Sequence, residues 1–262
     1  MPELPEVENY KKYLDGTSLH QKIVSFSCRD GRLLKMHENT FREHLLGVEF
    51  KRTQRIGKYL FIETTGDRVL IMHFGMTGRL SYYKDEEDRP KYGHIVFEFE
   101  NGFHLAFENK RKFGWIDLAE SLEGYKQEKN LSDDAKDLSW EDFRDAIKNR
   151  KTYIKPVIMD QSVAAGIGNW MADEILYQAR IHPESKVQNL KEKHLKEVYD
   201  AMKKVIDVSL EKEAVYRDFP EDFLIHNRKT DGKCYHTGDE IKKIKVGGRS
   251  TYFCPGWQKK IN

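Results

Sequence analysis

The sequence predicts an α+β protein: an N-terminal helix with an antiparallel β-sandwich, then a helical domain carrying a β-hairpin. Three observations predict it. Leu4, Val7, Tyr10 and Leu14 recur at spacings of three and four. From about residue 22 to 118, short β-rich runs alternate with polar or glycine-containing turns. From 141 to 213 the helical spacing returns, ahead of a short, turn-rich, basic end. A chain of 262 residues is long enough for two such domains.

Residues 3–15 read as a helix ended by Asp15-Gly16. Pro2 and Pro5 suit its start, where a missing N–H costs little. Ile23–Cys28, Tyr59–Thr64 and Val69–Phe74 read as strands, and His94–Glu100 and Phe103–Phe107 flank the hairpin dipeptide Asn101-Gly102. Residues 119–140 are charged and poor in apolar side chains, the pattern of a linker or domain joint. Leu195, Val198, Met202 and Val205 make one apolar stripe on a long charged helix. Gly247-Gly248 lies between Ile241/Ile244/Val246 and Tyr252/Phe253, predicting a small hairpin. These readings divide the chain at 1–130, 131–222 and 223–262.

The formal net charge is only +2, so overall charge does not single out a polyanionic partner. Residues 223–262 hold nine Lys/Arg against three acids, a local excess suited to nucleic acid. Three cysteines make no disulfide scaffold. No apolar run approaches the roughly 18 residues of a membrane span. The acidic N-terminus has no apolar signal segment. A soluble, cytoplasmic protein is expected.

The chemistry concentrates at the start of the chain. Removal of Met1 leaves Pro2 as a secondary amine at a helix start. An α-amine titrates near about pH 8, and a helix N-terminus lowers that further. Such an amine can attack C1′ of a deoxyribose and form an iminium, which makes strand cleavage by elimination accessible. Glu3 and Glu6 stand at i and i+3, placing carboxyls beside the amine for proton transfer.

The opening Pro2-Glu3-Leu4-Pro5-Glu6-Val7-Glu8 resembles that of the formamidopyrimidine-DNA glycosylase/endonuclease VIII family, and three later segments follow in that family's order. Arg55-Ile56-Gly57-Lys58-Tyr59-Leu60 looks like the segment of the hairpin lysine that reaches sugar and phosphate at the lesion. His73-Phe74-Gly75-Met76-Thr77-Gly78 and Asn109-Lys110-Arg111-Lys112-Phe113-Gly114 look like two void-filling loops. Met76, Arg111 and Phe113 match the side chains that replace an extruded base. The family usually has Asp-Pro where this chain has Asn109-Lys110. Lys155-Pro156 through Asp160-Gln161, then Ala165-Gly166-Ile167-Gly168-Asn169-Trp170-Met171-Ala172-Asp173-Glu174, resembles the helix–two-turn–helix. There Asn169 is expected at the N-cap of a helix Trp170–Arg180, whose free N–H groups suit a phosphate.

The family commonly ends in a zinc finger built on two Cys-x-x-Cys pairs. Here Cys234-Tyr235-His236-Thr237 and Cys254-Pro255-Gly256-Trp257 keep one cysteine each. The expectation is a zincless finger held by Ile241, Ile244, Tyr252, Phe253 and Trp257, with Arg249 matching the finger's phosphate-binding arginine. Between the long helix and the finger, oxidised-purine enzymes of the family carry a long Gly/Thr-rich loop. Leu210–Pro220 leaves little room for it.

The resemblance implies a monomeric glycosylase/AP lyase acting on oxidised bases in damaged double-stranded DNA, with Pro2 as nucleophile and Glu3 as proton donor. Glu6 and Lys58 would assist. His73, Met76, Arg111, Phe113, Lys155, Asn169 and Arg249 would bind DNA. No cofactor or metal is needed for this chemistry, and no membrane is involved. Oxidised pyrimidine is the close alternative substrate. A non-catalytic damage-binding protein is the alternative of another class.

Overall fold

The structure is a computed structural model that describes residues 1–262. The chain forms two compact units: Met1–Pro2 with Glu6–Lys129, and Glu3–Pro5 with Asn130–Asn262. No helix is long and apolar enough to cross a membrane.

The chain opens with α1 (Leu4–Thr17). It runs past the expected stop at Asp15-Gly16 because Ser18 N–H still donates to the Leu14 carbonyl at 2.8 Å. The first unit then holds β1 (Ile23–Cys28), α2 (Glu38–Leu45), β2 (Phe50–Ile56), β3 (Tyr59–Thr64), β4 (Val69–His73), β5 (Gly78–Tyr83), β6 (Gly93–Phe99), β7 (His104–Asn109), β8 (Trp115–Ala119) and α3 (Leu122–Glu128). Two four-stranded antiparallel sheets result, ordered β1-β6-β7-β5 and β2-β3-β4-β8. Phe26, Phe50, Leu60, Leu70, Phe97, Phe107 and Ile116 are buried together in one core. The β6–β7 hairpin turns through Gly102, whose φ of +80° favours glycine. Strand β2 lies at a sheet edge with Lys51, Arg52 and Gln54 exposed, so its middle is polar and its sequence does not read as a strand.

Residues 119–140, read as a linker or domain joint, contain the division between the two units, after Lys129, but they are structured and not a bare linker. Helix α3 occupies residues 122–128, with the Ser121 hydroxyl accepting from Gly124 N–H at 3.1 Å. Tyr125 is buried and meets Phe61 and Tyr59 edge-on, with centroids 5.8 and 6.1 Å away. One aromatic ring and one cap seat this helix on an already apolar sheet face, and neither produces a periodic pattern. Ala135 and Leu138 are also buried, in the core of the second unit.

The second unit contains α4 (Trp140–Ile147), α5 (Ile154–Ile158), α6 (Asn169–Gln178), α7 (Glu192–Glu211), β9 (Lys242–Val246) and β10 (Arg249–Phe253). The α7 stripe Leu195, Val198, Met202 and Val205 is buried with Phe143, Trp170 and Ile175. Strands β9 and β10 pair from Val246↔Arg249 outward. Gly247 and Gly248 both have positive φ, +55° and +77°, the backbone of a two-residue turn matched to strand twist.

The expected finger cluster is partly corrected. Cys234, Cys254 and Ile241 are buried with Tyr177 and Leu224, and Tyr252 and Trp257 pack against them. Ile244 stays partly exposed, and Phe253 turns to His182, with ring centroids 4.4 Å apart. Successive strand residues face opposite ways, so Tyr252 and Phe253 cannot share one cluster.

Candidate functional site

Pro2 and Glu3, the two residues expected to carry the chemistry, lie directly before α1. Pro2 is partly buried and Glu3 retains only 2% of its accessible surface. The Glu3 carboxylate accepts from Trp170 N–H through Oε1 at 3.0 Å and from Met171 N–H through Oε2 at 3.2 Å. These are first-turn N–H groups of α6, which have no partner within the helix. The anion site expected for phosphate at this helix start is therefore occupied by the chain's own carboxylate. Leu4 N–H donates to the Gly166 carbonyl at 3.1 Å, fixing the segment one residue further on. Glu6, half-buried, lies in the first turn of α1.

The expected N-cap role of Asn169 is corrected. Asn169 is the first residue of α6, and Gly168 stands at the cap. The Asn169 amide instead accepts from Lys155 Nζ at 2.8 Å and donates to the Ser250 carbonyl at 3.0 Å. Capping by a distant carboxylate freed Asn169 for this bridge. The expectation that Lys155 binds DNA is also corrected: it has no accessible surface. Its amine lies 2.7 Å from Asp173 Oδ1 and donates to Thr251 Oγ1 at 2.7 Å. An ammonium fully paired inside the unit has no donor left for a phosphate.

In the first unit, Lys58 sits in the β2–β3 turn after Gly57, whose φ is +58°. It is not a projecting surface lysine, since only 9% of its surface is exposed. Arg55 braces this turn, donating to the Gly57 carbonyl at 3.1 Å and to Glu8 at 2.7 Å. The Glu8–Arg55 pair thus ties α1 to the lysine turn across 47 residues, which no local pattern reveals.

His73 ends β4, paired in register with Tyr59 and Trp115. It stacks on Trp115 with centroids 5.2 Å apart and accepts from Gly75 N–H at 3.3 Å through Nδ1. Burial first, then the charges of Lys58 and Lys35, push its pKa down to about 4. A histidine depressed below its unfolded value binds fewer protons when folded. Its contribution to stability is complete above about pH 6.5 and is lost as pH falls toward 4. An NMR titration of the ring is expected to stay flat from about pH 8 down to 5 and to move only near 4. A midpoint near 6.5 would contradict the burial argument.

The two loops pack backbone to backbone. A Cβ on Gly75 would fall 2.4 Å from Gly114 N, and one on Gly114 would fall 2.0 Å from Asn109 Nδ2. Buried Asn109 donates to the Phe74 carbonyl at 3.1 Å and accepts from Phe113 N–H at 3.2 Å. An amide can do both, whereas the carboxylate usual in the family only accepts. Lys112 adopts a left-handed backbone and turns to Asp30 at 2.7 Å. Met76 and Phe113 are left 39% and 56% exposed, and the exposed Arg111 guanidinium lies 5.1 Å from the Phe113 ring centre. Two large apolar side chains and an arginine presented by braced loops suit insertion between bases.

Residues 1–116 match the formamidopyrimidine-DNA glycosylase N-terminal domain, and 131–219 match the H2TH domain of the same proteins. The formamidopyrimidine-DNA glycosylase of Streptococcus mutans is 32% identical over 99% of this chain and 100% of its own. The chain belongs to the formamidopyrimidine-DNA glycosylase family. A Lactococcus lactis FPG mutant, solved with DNA containing Fapy-dG, superimposes with a TM-score of 0.90 at 30% identity, over 99% of this chain and 100% of that one. A MutM structure in complex with DNA containing carbocyclic 8-oxo-G has a TM-score of 0.88 at 30% identity, with the same coverage.

For a member of this family the finger raises the question of zinc, and its residues do not fit the metal. No group of three His, Cys, Asp or Glu side chains is gathered to hold a cation. The Cys234 and Cys254 sulfurs are engaged by the Tyr177 hydroxyl at 3.3 Å and the Thr237 hydroxyl at 3.4 Å. His236 stacks on Trp257 at 3.9 Å, and the Trp257 indole donates to the Tyr177 carbonyl at 3.1 Å. Arg180 covers Trp257 at 4.1 Å. Arg249 is exposed directly after the Gly247-Gly248 turn.

Between α7 and the finger the chain is short. Glu213 and Ala214 adopt positive φ, and a brief 3₁₀ turn at Tyr216–Asp218 leads into buried Phe219. Tyr216 meets Trp170 edge-on at 5.4 Å, so an aromatic group adjoins the helix start that holds Glu3.

Proposed function

We propose that this chain is a base-excision-repair DNA glycosylase with AP lyase activity, and that it removes oxidised purines from duplex DNA with Pro2 as nucleophile. The observation that carries the reading is the seat of Glu3. A carboxylate adjacent in sequence to the N-terminal amine is buried and clasped by two backbone N–H groups. Membership of the family, and relatives bound to Fapy-dG and 8-oxo-G, support a purine substrate over a pyrimidine.

The Pro2 nitrogen attacks C1′ as the bond from C1′ to the base breaks. The base leaves, and the ring opens to an iminium as O4′ takes a proton. Glu3 serves as the proton carrier between amine and ring oxygen, with Glu6, in the first turn of α1, assisting. Loss of a C2′ proton expels the 3′ phosphate, and a second elimination expels the 5′ phosphate. Each step uses only the amine, carboxylates and water. Lys58 neutralises phosphate beside the sugar. Met76, Arg111 and Phe113 fill the space of the extruded base, and His73, Asn169 and Arg249 hold the backbone. Segment 1–130 thus supplies the nucleophile and wedge, 131–222 the carboxylate's seat, and 223–262 the finger arginine. With bacterial relatives, we place this work in the cytoplasm on the chromosome.

Borohydride trapping on a duplex carrying one abasic site tests the reading. The protein with Met1 removed is expected to give a covalent adduct. Protein with Met1 retained, or with an acetylated N-terminus, is expected to give none. If the verified free Pro2 amine binds the duplex tightly yet leaves no adduct, the protein recognises damage without chemistry.

A further inference from the structure

Beneath the proposed phosphate contacts lies a charged cluster that is almost wholly buried, with only Arg228 partly exposed. The side chains of Lys155 and Asp173 have no exposed surface. Lysine is seldom buried in full, and usually keeps its amine in water. Here four oxygens surround Nζ: Asp173 Oδ1 at 2.7 Å, Thr251 Oγ1 at 2.7 Å, Asn169 Oδ1 at 2.8 Å and the Ser250 carbonyl at 3.3 Å. The other carboxylate oxygen of Asp173 meets Arg228 at 2.9 Å (Nε) and 2.7 Å (Nη2), and accepts from Tyr252 N–H at 3.3 Å. Arg228 also lies over the Tyr252 ring at 4.9 Å.

We propose that Lys155, Asp173 and Arg228 are positioning residues that set Asn169 and Arg249 for two DNA phosphates without touching DNA themselves. The inference rests on the phosphate roles proposed above.

Three connections carry it. Lys155 can only donate, so it forces the Asn169 carbonyl oxygen inward and turns the amide nitrogen toward Ser250. Thr251 accepts from Lys155 and its hydroxyl donates to the Arg249 carbonyl at 3.1 Å, so the lysine reaches the arginine's backbone through two hydrogen bonds. The hairpin turn also rests on the residue after Lys155: a Cβ on Gly247 would lie 3.1 Å from Pro156. Burying these charges is a poor route to stability, because apolar groups of equal volume would usually serve as well or better. What the network provides is one fixed spacing between the start of α6 and the start of β10.

The network also makes the test clean. Two cations share one anion, so Lys155→Met leaves Asp173 and Arg228 as a neutral pair with no orphaned charge, and the variant is expected to fold. Binding to a duplex with a non-cleavable abasic analogue is measured across salt concentration. Each phosphate neutralised by a lysine or arginine contributes about 0.9 to the slope of log affinity against log salt. Lys155→Met is expected to lower that slope by about 1, the share of Arg249, and to weaken binding further through Asn169 without changing the slope, although Lys155 itself is buried. Thr251→Val, which changes no charge, is expected to lower it by about 1. Arg249→Gln is expected to lower it in the wild-type background and to add little in Lys155→Met, the coupling of residues that act together. An unchanged slope in Lys155→Met, with either normal or uniformly weakened binding, overturns the proposal; so does full additivity with Arg249→Gln. Because the readout is equilibrium binding, it stands apart from trapping: a protein that binds with the expected slopes but gives no adduct defeats the enzymatic reading alone.

Discussion

Glu3→Gln is expected to reduce excision of 8-oxoguanine by roughly 10²- to 10⁴-fold, the range of a general acid–base contribution. Two losses combine. The amide carries no ionisable proton, so it cannot move one between Pro2 and the sugar. It also offers one acceptor where Trp170 and Met171 need two, and sets an NH₂ against a backbone N–H. A buried N–H left without a partner costs about 1–3 kcal/mol, so a modest fall in thermal stability should accompany the loss. Cleavage at a preformed abasic site should suffer less, because the base has already gone and C1′ is available as an aldehyde. Single-turnover assays on the two substrates separate the effects. Equal losses on both would assign Glu3 to the Schiff base alone, and unimpaired excision would remove it from the mechanism.

A single methyl group at residue 168 should be nearly as damaging. Gly168 has φ −122° and ψ −155°, which other residues adopt without strain, so backbone freedom does not explain a glycine here. Space does: a Cβ would sit 2.2 Å from Glu3 Cδ and 2.4 Å from Oε1. In Gly168→Ala the carboxylate must leave the N–H groups that hold it, although Glu3 itself is intact. Excision is expected to fall at least about 100-fold, as for a misplaced catalytic group. Gly102→Ala is the contrasting variant. Its φ of +80° makes alanine strained, yet nothing lies within 4 Å of the added carbon. It should lose about 1 kcal/mol of stability and no activity. Full excision by Gly168→Ala would show that Glu3 tolerates displacement.

Several elements were legible because their signals are local. Ile23–Cys28 and Tyr59–Thr64 are strands at the residues read from composition and alternation. Asn101-Gly102 turns one hairpin and Gly247-Gly248 another, since both need backbone conformations that few residues adopt. The α7 stripe is buried as its spacing requires. Helix α3 was hidden because a Ser cap and one tyrosine suffice when a sheet face is already waiting. Asn169 and Lys155 were misread for a related reason. Asparagine before a helix is ordinarily a cap and lysine is ordinarily wet, but here each ordinary partner is replaced by a side chain from a remote segment.

By itself the sequence determined the α+β class, the two hairpins, the placing of Met76, Arg111 and Phe113 between or after strands, and a proline at residue 2 next to a glutamate. Each follows from residue type and short spacing, or from the family's motifs in order. Tertiary structure alone decided what holds that glutamate: Trp170 N–H, 167 residues away, with Gly168 left bare to admit it. It also decided that Lys155 serves the finger from 96 residues away and not the solvent. Backbone N–H groups are the same at every position, and a buried lysine is spelled like an exposed one. Only the folded chain shows which acceptor reaches them.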